Sequence, residues 1–205
     1  MDIHNLYREH EAQFEAFAKL LESANTRVNL MSREELSFLD SHILDSLLLT
    51  KEVENTKAVI DLGSGGGFPI IPLSIALPNV SFTAIDSAQR KTDFLEMCKI
   101  KLSLSNVQIH HSTIEDATAL HGQFDAVTAR ALAALSSLLP LAAPFLRTDS
   151  KSKLVFLKGA QWKQEVEEAR AVTEQLRLHL ESAKEFSDIP GRHHSAVLTF
   201  SQQNP

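Results

Sequence analysis

The sequence predicts an α/β protein: a doubly wound, mostly parallel sheet closed by an antiparallel hairpin and preceded by a helical segment. Three observations predict it. From Lys57 onward, short continuous apolar runs alternate with helix-like stretches. The first of those runs ends in a loop holding four of the chain's seven glycines. Residues 1–55, by contrast, carry helical periodicity with no strand-like run. Strands alternating with helices build parallel sheets with helices on both faces, and strands buried on both faces read as unbroken apolar runs.

Taken in order, Phe14, Phe17, Leu20 and Leu21 recur at helical spacing with charged residues between them, so both phenylalanines are expected in the core. Ser32-Arg33-Glu34-Glu35 has capping-box form, a hydroxyl at the cap and a carboxylate three residues on. A short helix is expected over 42–49. Strand 58–61 leads into the glycine loop, and a helix over 70–77 stops at Pro78. Strand 80–85, helix 87–102, strand 107–110 and strand 124–129 follow. After them come a helix around 132–139, strand 153–158 and one long amphipathic helix over 162–180. Strand-like pieces at 183–186 and 196–200, with no helix-length spacer, complete the hairpin. Residues 1–55 are expected to pack on a single catalytic unit formed by 56–205.

With 205 residues and 22.7 kDa, the chain is long enough for a full core without covalent staples. One cysteine excludes a disulfide framework and a cysteine-built zinc site, and no histidine pair has ligand spacing, so no metal is expected. The apolar runs fall short of the ~20 residues a membrane span needs, and the amino terminus lacks a secretory pattern. A cytoplasmic protein is expected. The net charge of −6 argues against a free-standing nucleic-acid binder with a basic overall field, so any RNA contact must be local.

The chemistry concentrates in Asp61-Leu62-Gly63-Ser64-Gly65-Gly66-Gly67-Phe68-Pro69. A glycine loop between a strand and a helix lets backbone amides approach a nucleotide-like ligand, and open α/β sheets bind ligands at strand carboxyl ends. The spacing departs from the dinucleotide fingerprint, which needs a glycine where Phe68 stands. Glycines at 63, 65 and 67 after Asp61 instead resemble the D-x-G-x-G-x-G form of S-adenosylmethionine-dependent methyltransferases. Asp86, at the end of the second strand, is placed to accept from ribose hydroxyls. A glycine turn that serves packing alone, and NAD binding, are the competing readings.

The chain as a whole resembles the bacterial small-subunit rRNA guanine-N7 methyltransferases, the RsmG or GidB family. The resemblance runs through Asn29-Leu30, His42-Ile43-Leu44-Asp45-Ser46-Leu47, the glycine loop with its Gly-Phe-Pro ending, and Asp86-Ser87 with Arg90-Lys91 and Phe94-Leu95. It continues through Glu115, Phe124-Asp125, Thr128-Ala129-Arg130-Ala131, Lys158-Gly159 and Glu165. It implies a seven-stranded, Rossmann-like class I fold and S-adenosyl-L-methionine as cofactor. It also implies cofactor contacts at Gly63, Phe68, Ile114, Glu115 and Arg130, with Arg130 holding a carboxylate or orienting the acceptor. The implied partner is 16S rRNA or a small-subunit particle, the target a guanosine in a decoding-region hairpin, and the default state a monomer. The chain departs from the family at Ser41 and Thr113, where arginines are usual, and at Arg90-Lys91, where the order is usually reversed.

Guanine N7 carries a lone pair at neutral pH, so its methylation needs alignment and no general base. The sequence accordingly lacks the Asn/Asp-Pro-Pro-aromatic tetrapeptide of exocyclic-amine methyltransferases. Cys98, in mid-helix, reads as core rather than nucleophile, and His42 as a structural hydrogen-bonder. Candidate RNA-contacting cations are Arg90, Lys91, Lys151, Lys153, Lys158 and Arg192, with His193 and His194 beside the last. Methylation of a small molecule or protein, and a non-catalytic cofactor-binding module that docks on ribosomes, are the alternatives to rRNA methylation.

Overall fold

A computed structural model describes residues 2–148, 151–187 and 195–202. Seven strands form one sheet in the order β3-β2-β1-β4-β5-β7-β6. They are β1 (Ala58–Leu62), β2 (Ser81–Asp86), β3 (Val107–His111), β4 (Ala126–Arg130), β5 (Lys153–Lys158), β6 (Leu178–Phe186) and β7 (Ser195–Gln202). The first five run parallel, and β7 pairs antiparallel with both β5 and β6. The strand order reverses between β1 and β4, which opens a crevice at their carboxyl ends.

Two apolar cores lie on the two faces. Val59 points into one and Ile60 into the other, as the period of two requires. The first face is covered by the amino-terminal helices α1 (Ile3–Glu9), α2 (Glu11–Asn25) and α4 (Leu39–Leu47), with α6 (Ile70–Ala76) and α7 (Gln89–Lys101). Phe14, Phe17 and Leu21 of α2 are fully buried there. The short helices α3 (Arg33–Leu36) and α5 (Thr50–Val53) complete this layer. Opposite lie α8 (Leu135–Ala142), α9 (Trp162–Glu168) and α10 (Arg170–Gln175).

The expected long helix over 162–180 is two short helices followed by an edge strand. Arg177 adopts φ 53°, a left-handed conformation that ends a helix, and the chain reverses into β6. The period-two spacing of Leu176, Leu178 and Leu180 belongs to that strand entry. The helix expected at 132–139 begins at Leu135, because Ala131 takes φ 51° and turns the chain out of β4 before it can coil. Arg192, His193 and His194 lie outside the described residues.

Asp125, one residue before β4, clamps the amino ends of the two central strands. Its Oδ2 accepts from Lys57 N at 2.7 Å and Ala58 N at 2.9 Å, while its Oδ1 accepts from Arg147 at 2.6 Å. This is the far end of the sheet from the crevice, so Asp125 is structural. Asp125→Ala should lower unfolding free energy by about 2–3 kcal/mol, since two strand amides lose their acceptor. Urea denaturation reads the loss; cofactor affinity is expected to be unchanged.

Candidate active site

The glycine loop leaves β1 at the switch point, and its geometry requires glycine at two places. Gly67 has φ +91°, and a Cβ there would stand 2.9 Å from Ile71 and 3.2 Å from Phe17. It is the point where α2 and α6 close on the loop. Gly63 has φ +69°, and a Cβ there would lie 2.6 Å from Leu132 Cδ1. Both positions disfavour side chains by conformation; at Gly67 the crowding comes from buried Ile71 and Phe17, while at Gly63 it comes from the tip of the exposed Leu132 side chain.

Asp86 fixes the loop. Its Oδ2 accepts from Gly65 N at 2.8 Å and its Oδ1 from Ala88 N at 2.9 Å, so the end of β2 holds both the glycine loop and the start of α7. Each oxygen keeps a further lone pair for a ligand hydroxyl. Asp61 is fully enclosed beneath the loop. Its Oδ1 accepts from Thr128 Oγ1 at 2.8 Å, and its Oδ2 is buried without a hydrogen bond among the described residues. Burial pushes its carboxyl up to about 7, against the Ser64 and Thr128 hydroxyls and the Arg130 guanidinium, with the Asp86 charge adding to the rise.

Arg130, the last residue of β4, stacks its guanidinium over the Phe68 ring at 5.2 Å and donates to His42 Nδ1. The Nε2 of His42, in turn, lies 2.5 Å from Glu35 Oε2. His42 is thus a buried connector, as expected. Ser32 Oγ caps Glu35 N at 3.2 Å, so the first half of the capping box forms while the Glu35 carboxylate is directed at His42.

Two cavities meet at residues 130–132, which line both. One, of about 350 Å³, is walled by Gly63, Asp86, Lys91, Thr113, Ile114 and Glu115. The other, of about 490 Å³, is walled on its far side by Lys158, Gln161, Glu165 and Glu168. Five sequence-expected cofactor residues thus surround the smaller cleft: Gly63, Asp86, Ile114, Glu115 and Arg130. The sixth, Phe68, does not line it; its ring is packed between Phe17, His42 and Arg130.

Among the expected RNA-contacting cations, Lys91 lines the cleft, whereas Arg90 is exposed and lines a separate depression against α2. Lys158 is not a surface cation. Its Nζ is buried, donating to Glu165 Oε2 at 2.6 Å and Ala133 O at 2.7 Å. Lys153 is held by Glu52 at 3.2 Å. Sequence reasoning missed Leu132, a partly exposed apolar side chain set over Gly63, and the pairing of Lys158 with Glu165; two oppositely charged residues seven positions apart give no local signal of contact. Thr113, where the family has arginine, accepts from Asp116 N and shapes the cleft's edge. Among the described residues no cluster of ligating side chains is arranged for a metal, and no helix is long and apolar enough to cross a membrane.

The strand order, the reversed hairpin and the glycine loop at the switch point define the fold class, a Rossmann-like sheet closed by an antiparallel hairpin. The chain superposes on the O-methyltransferase from Bacillus cereus, solved in complex with SAH, with a TM-score of 0.63 at 12% identity, over 93% of this chain and 91% of that one.

Within that class, the family pattern described as rRNA small subunit methyltransferase G matches residues 10–194, and the chain belongs to that family. It is 38% identical to the ribosomal RNA small subunit methyltransferase G of Streptococcus pyogenes serotype M6, over 81% of this chain and 72% of that one. The protein of the same name from Thermoanaerobacter sp. (strain X514) is 33% identical over 92% of this chain and 81% of its own. The protein is accordingly an rRNA small subunit methyltransferase, and its methyl donor is S-adenosyl-L-methionine. The residues present fit that donor: Gly63 leaves the cleft open where a side chain would stand, and the Asp86 carboxylate lines its wall.

Because the folded-state carboxyl of Asp61 sits near 7, above its value of 3.8 in the unfolded chain, its contribution to stability is complete below pH ~4 and is lost as pH rises through 7. Asp61→Asn should therefore match the wild type near pH 4 and exceed it by about 2–4 kcal/mol at pH 7–8. Denaturant titrations of the cofactor-free protein across this range check the sign.

Proposed function

We propose that the protein methylates N7 of one guanosine in 16S rRNA, in the decoding-region hairpin, by in-line displacement without a general base. One observation carries this reading: the donor cleft and the second cavity adjoin at residues 130–132, so that a base in one can meet a methyl group held in the other, and among the described residues no cysteine nucleophile lines either. Such a site suits an acceptor that already presents a lone pair. Cys98 is fully buried in the core, and burial pushes its thiol up to about 12, which suits no nucleophilic role. The bound donor supplies an electrophilic methyl on a sulfonium.

In this reading Gly63 admits the donor to the loop backbone. Asp86 accepts from its ribose while keeping Gly65 in place, and Ile114 and Glu115 flank its adenine. Arg130, braced by Phe68 and His42, is the positioning residue between donor and acceptor. Arg90 and Lys91, which have no ion-pair partner among the described residues, meet RNA at the mouth of the cleft. The protein acts in the cytoplasm as a monomer, on 16S rRNA or a small-subunit particle.

The test is transfer of labelled methyl to small subunits from cells lacking the protein, followed by nuclease mapping and mass analysis of the modified nucleotide. A single 7-methylguanosine is expected; label on an exocyclic amine or in protein overturns the reading. Two variants address the cleft. Gly63→Val should abolish donor binding in calorimetry with the fold intact, because the new side chain meets Leu132 and the φ is unfavourable. Asp86→Ala should weaken donor affinity by about 1–3 kcal/mol.

A further inference from the structure

The larger cavity is lined by three carboxylates, Asp45, Glu165 and Glu168, and two cations, Arg130 and Lys158. That balance repels a phosphate and suits a neutral base edge bearing N–H groups. Its most constrained charges are Lys158 and Glu165. Glu165 Oε2 accepts from Lys158 Nζ at 2.6 Å and from Leu135 N at 3.0 Å, while Oε1 makes no hydrogen bond among the described residues. Lys158 Nζ donates to Ala133 O and Glu165 and has a third proton uncommitted. The amide of Leu135, at the first turn of α8, fixes which carboxylate oxygen is engaged and leaves the other free.

A cation donor beside a carboxylate acceptor matches one nucleobase edge especially well. Guanine presents O6, an acceptor, next to N1–H and the N2 amine, both donors. We propose that the 490 Å³ cavity receives the acceptor guanine turned out of its RNA, with Lys158 donating to O6 and Glu165 Oε1 accepting from N1–H and the N2 amine. This inference rests on the N7 reading above and names the residues that make it guanine-specific.

The charge balance of the reaction agrees with this placement. The N7 lone pair forms the N–CH3 bond, the C–S bond breaks, and its electron pair stays on sulfur. No proton is released, and the positive charge moves from the sulfonium to the purine. The charge therefore arrives in a cavity where carboxylates outnumber cations among the lining residues, and a carboxylate against N1–H stabilises the cationic product. Lys158 and Glu165 thus act in base recognition, where sequence reading had placed Lys158 on the surface.

The experiment compares two substrates on one protein. Once the modified guanosine is mapped, small subunits are reconstituted with guanosine or inosine there, inosine lacking only the N2 amine. The wild type should favour guanosine by about tenfold or more in kcat/KM, as sites built around a hydrogen bond reject analogues that lack it. In Glu165→Gln the amide oxygen is held by Leu135 N and the amide NH2 faces the cavity. Guanosine and inosine should then be methylated within about twofold of each other, or inosine preferred, because donor faces donor. Affinity for S-adenosylhomocysteine should stay within about twofold of wild type. Should that affinity fall, the guanosine-to-inosine ratio still decides, since both rates come from the same protein at saturating donor. An unchanged ratio in Glu165→Gln, or a wild type indifferent to inosine, overturns the inference. The methylated atom in the wild-type guanosine product is read separately: methyl found elsewhere than N7 ends the reading on which the inference rests, whatever the ratio.

Discussion

Everything at this site depends on how closely four segments approach the backbone between β1 and α6. Phe17 comes from α2, Leu132 from the turn after β4, the Asp86 carboxylate from the end of β2, and Ile71 from the next helix. The loop has room for all four because positions 63 and 67 carry no Cβ and adopt left-handed backbone. The two glycines thus meet different constraints: Gly63 lines the cleft beneath Leu132, and Gly67 takes the packing of α2 and α6.

The amino-terminal helices are tied to this loop by chemistry as well as by packing. Phe68 lies between the Phe17 ring at 5.2 Å, the His42 ring at 5.4 Å and the Arg130 guanidinium at 5.2 Å. A guanidinium on an aromatic face contributes roughly 0.5–2 kcal/mol where partly desolvated. More important is direction: a side chain held by a ring on one face and by His42 at its end has few rotamers left. The chain of support runs from the Ser32 cap through Glu35 and His42 to Arg130, so that a local helix-start signal in the sequence ends as the alignment of a residue 98 positions away.

The fold was legible where a single period carries the signal. The central strands, the glycine loop and the helices α6 and α7 all declare themselves locally. The region 162–180 misled because the helical pattern of α9 and α10 runs without a glycine or proline into Leu178 and Leu180, and what stops it is Arg177, a residue type with no preference for the left-handed region. The site was legible in the same measure. Asp86 could be placed from its position at a strand's carboxyl end, whereas Gly63, Ile114, Glu115 and Arg130 came from the family resemblance; all five line one cleft. Phe68 could not be placed, since the direction of its ring depends on α2 and α4. The role of Lys158 was hidden for the same reason: a lysine at a strand end reads as surface until α9 brings Glu165 over it.

The acidic balance of the chain then acquires a physical meaning. With a net charge of −6, long-range attraction to RNA is absent, and phosphate contacts must come from short-range pairs able to displace counterions locally. Two of the cations that the sequence assigned to that task are already engaged: Lys153 shares Glu52 with Lys184, and Lys158 pairs with Glu165. Arg90 and Lys91, by contrast, stand together at the start of α7, with Arg27 facing Arg90 across one depression. Lys91 lines the donor cleft, Arg27 and Arg90 line a separate depression between α2 and α7, and carboxylates line the larger cavity. Under the proposed reading, Lys91 would meet the phosphate backbone at the cleft, and the interior, where carboxylates outnumber cations, would disfavour phosphate and leave room for a neutral base. A uniformly basic surface would bind RNA more tightly, yet it would also draw phosphate into the cavity where the base belongs. In the proposed reading, weak overall attraction joined to a carboxylate-rich pocket would favour correct entry over tight binding.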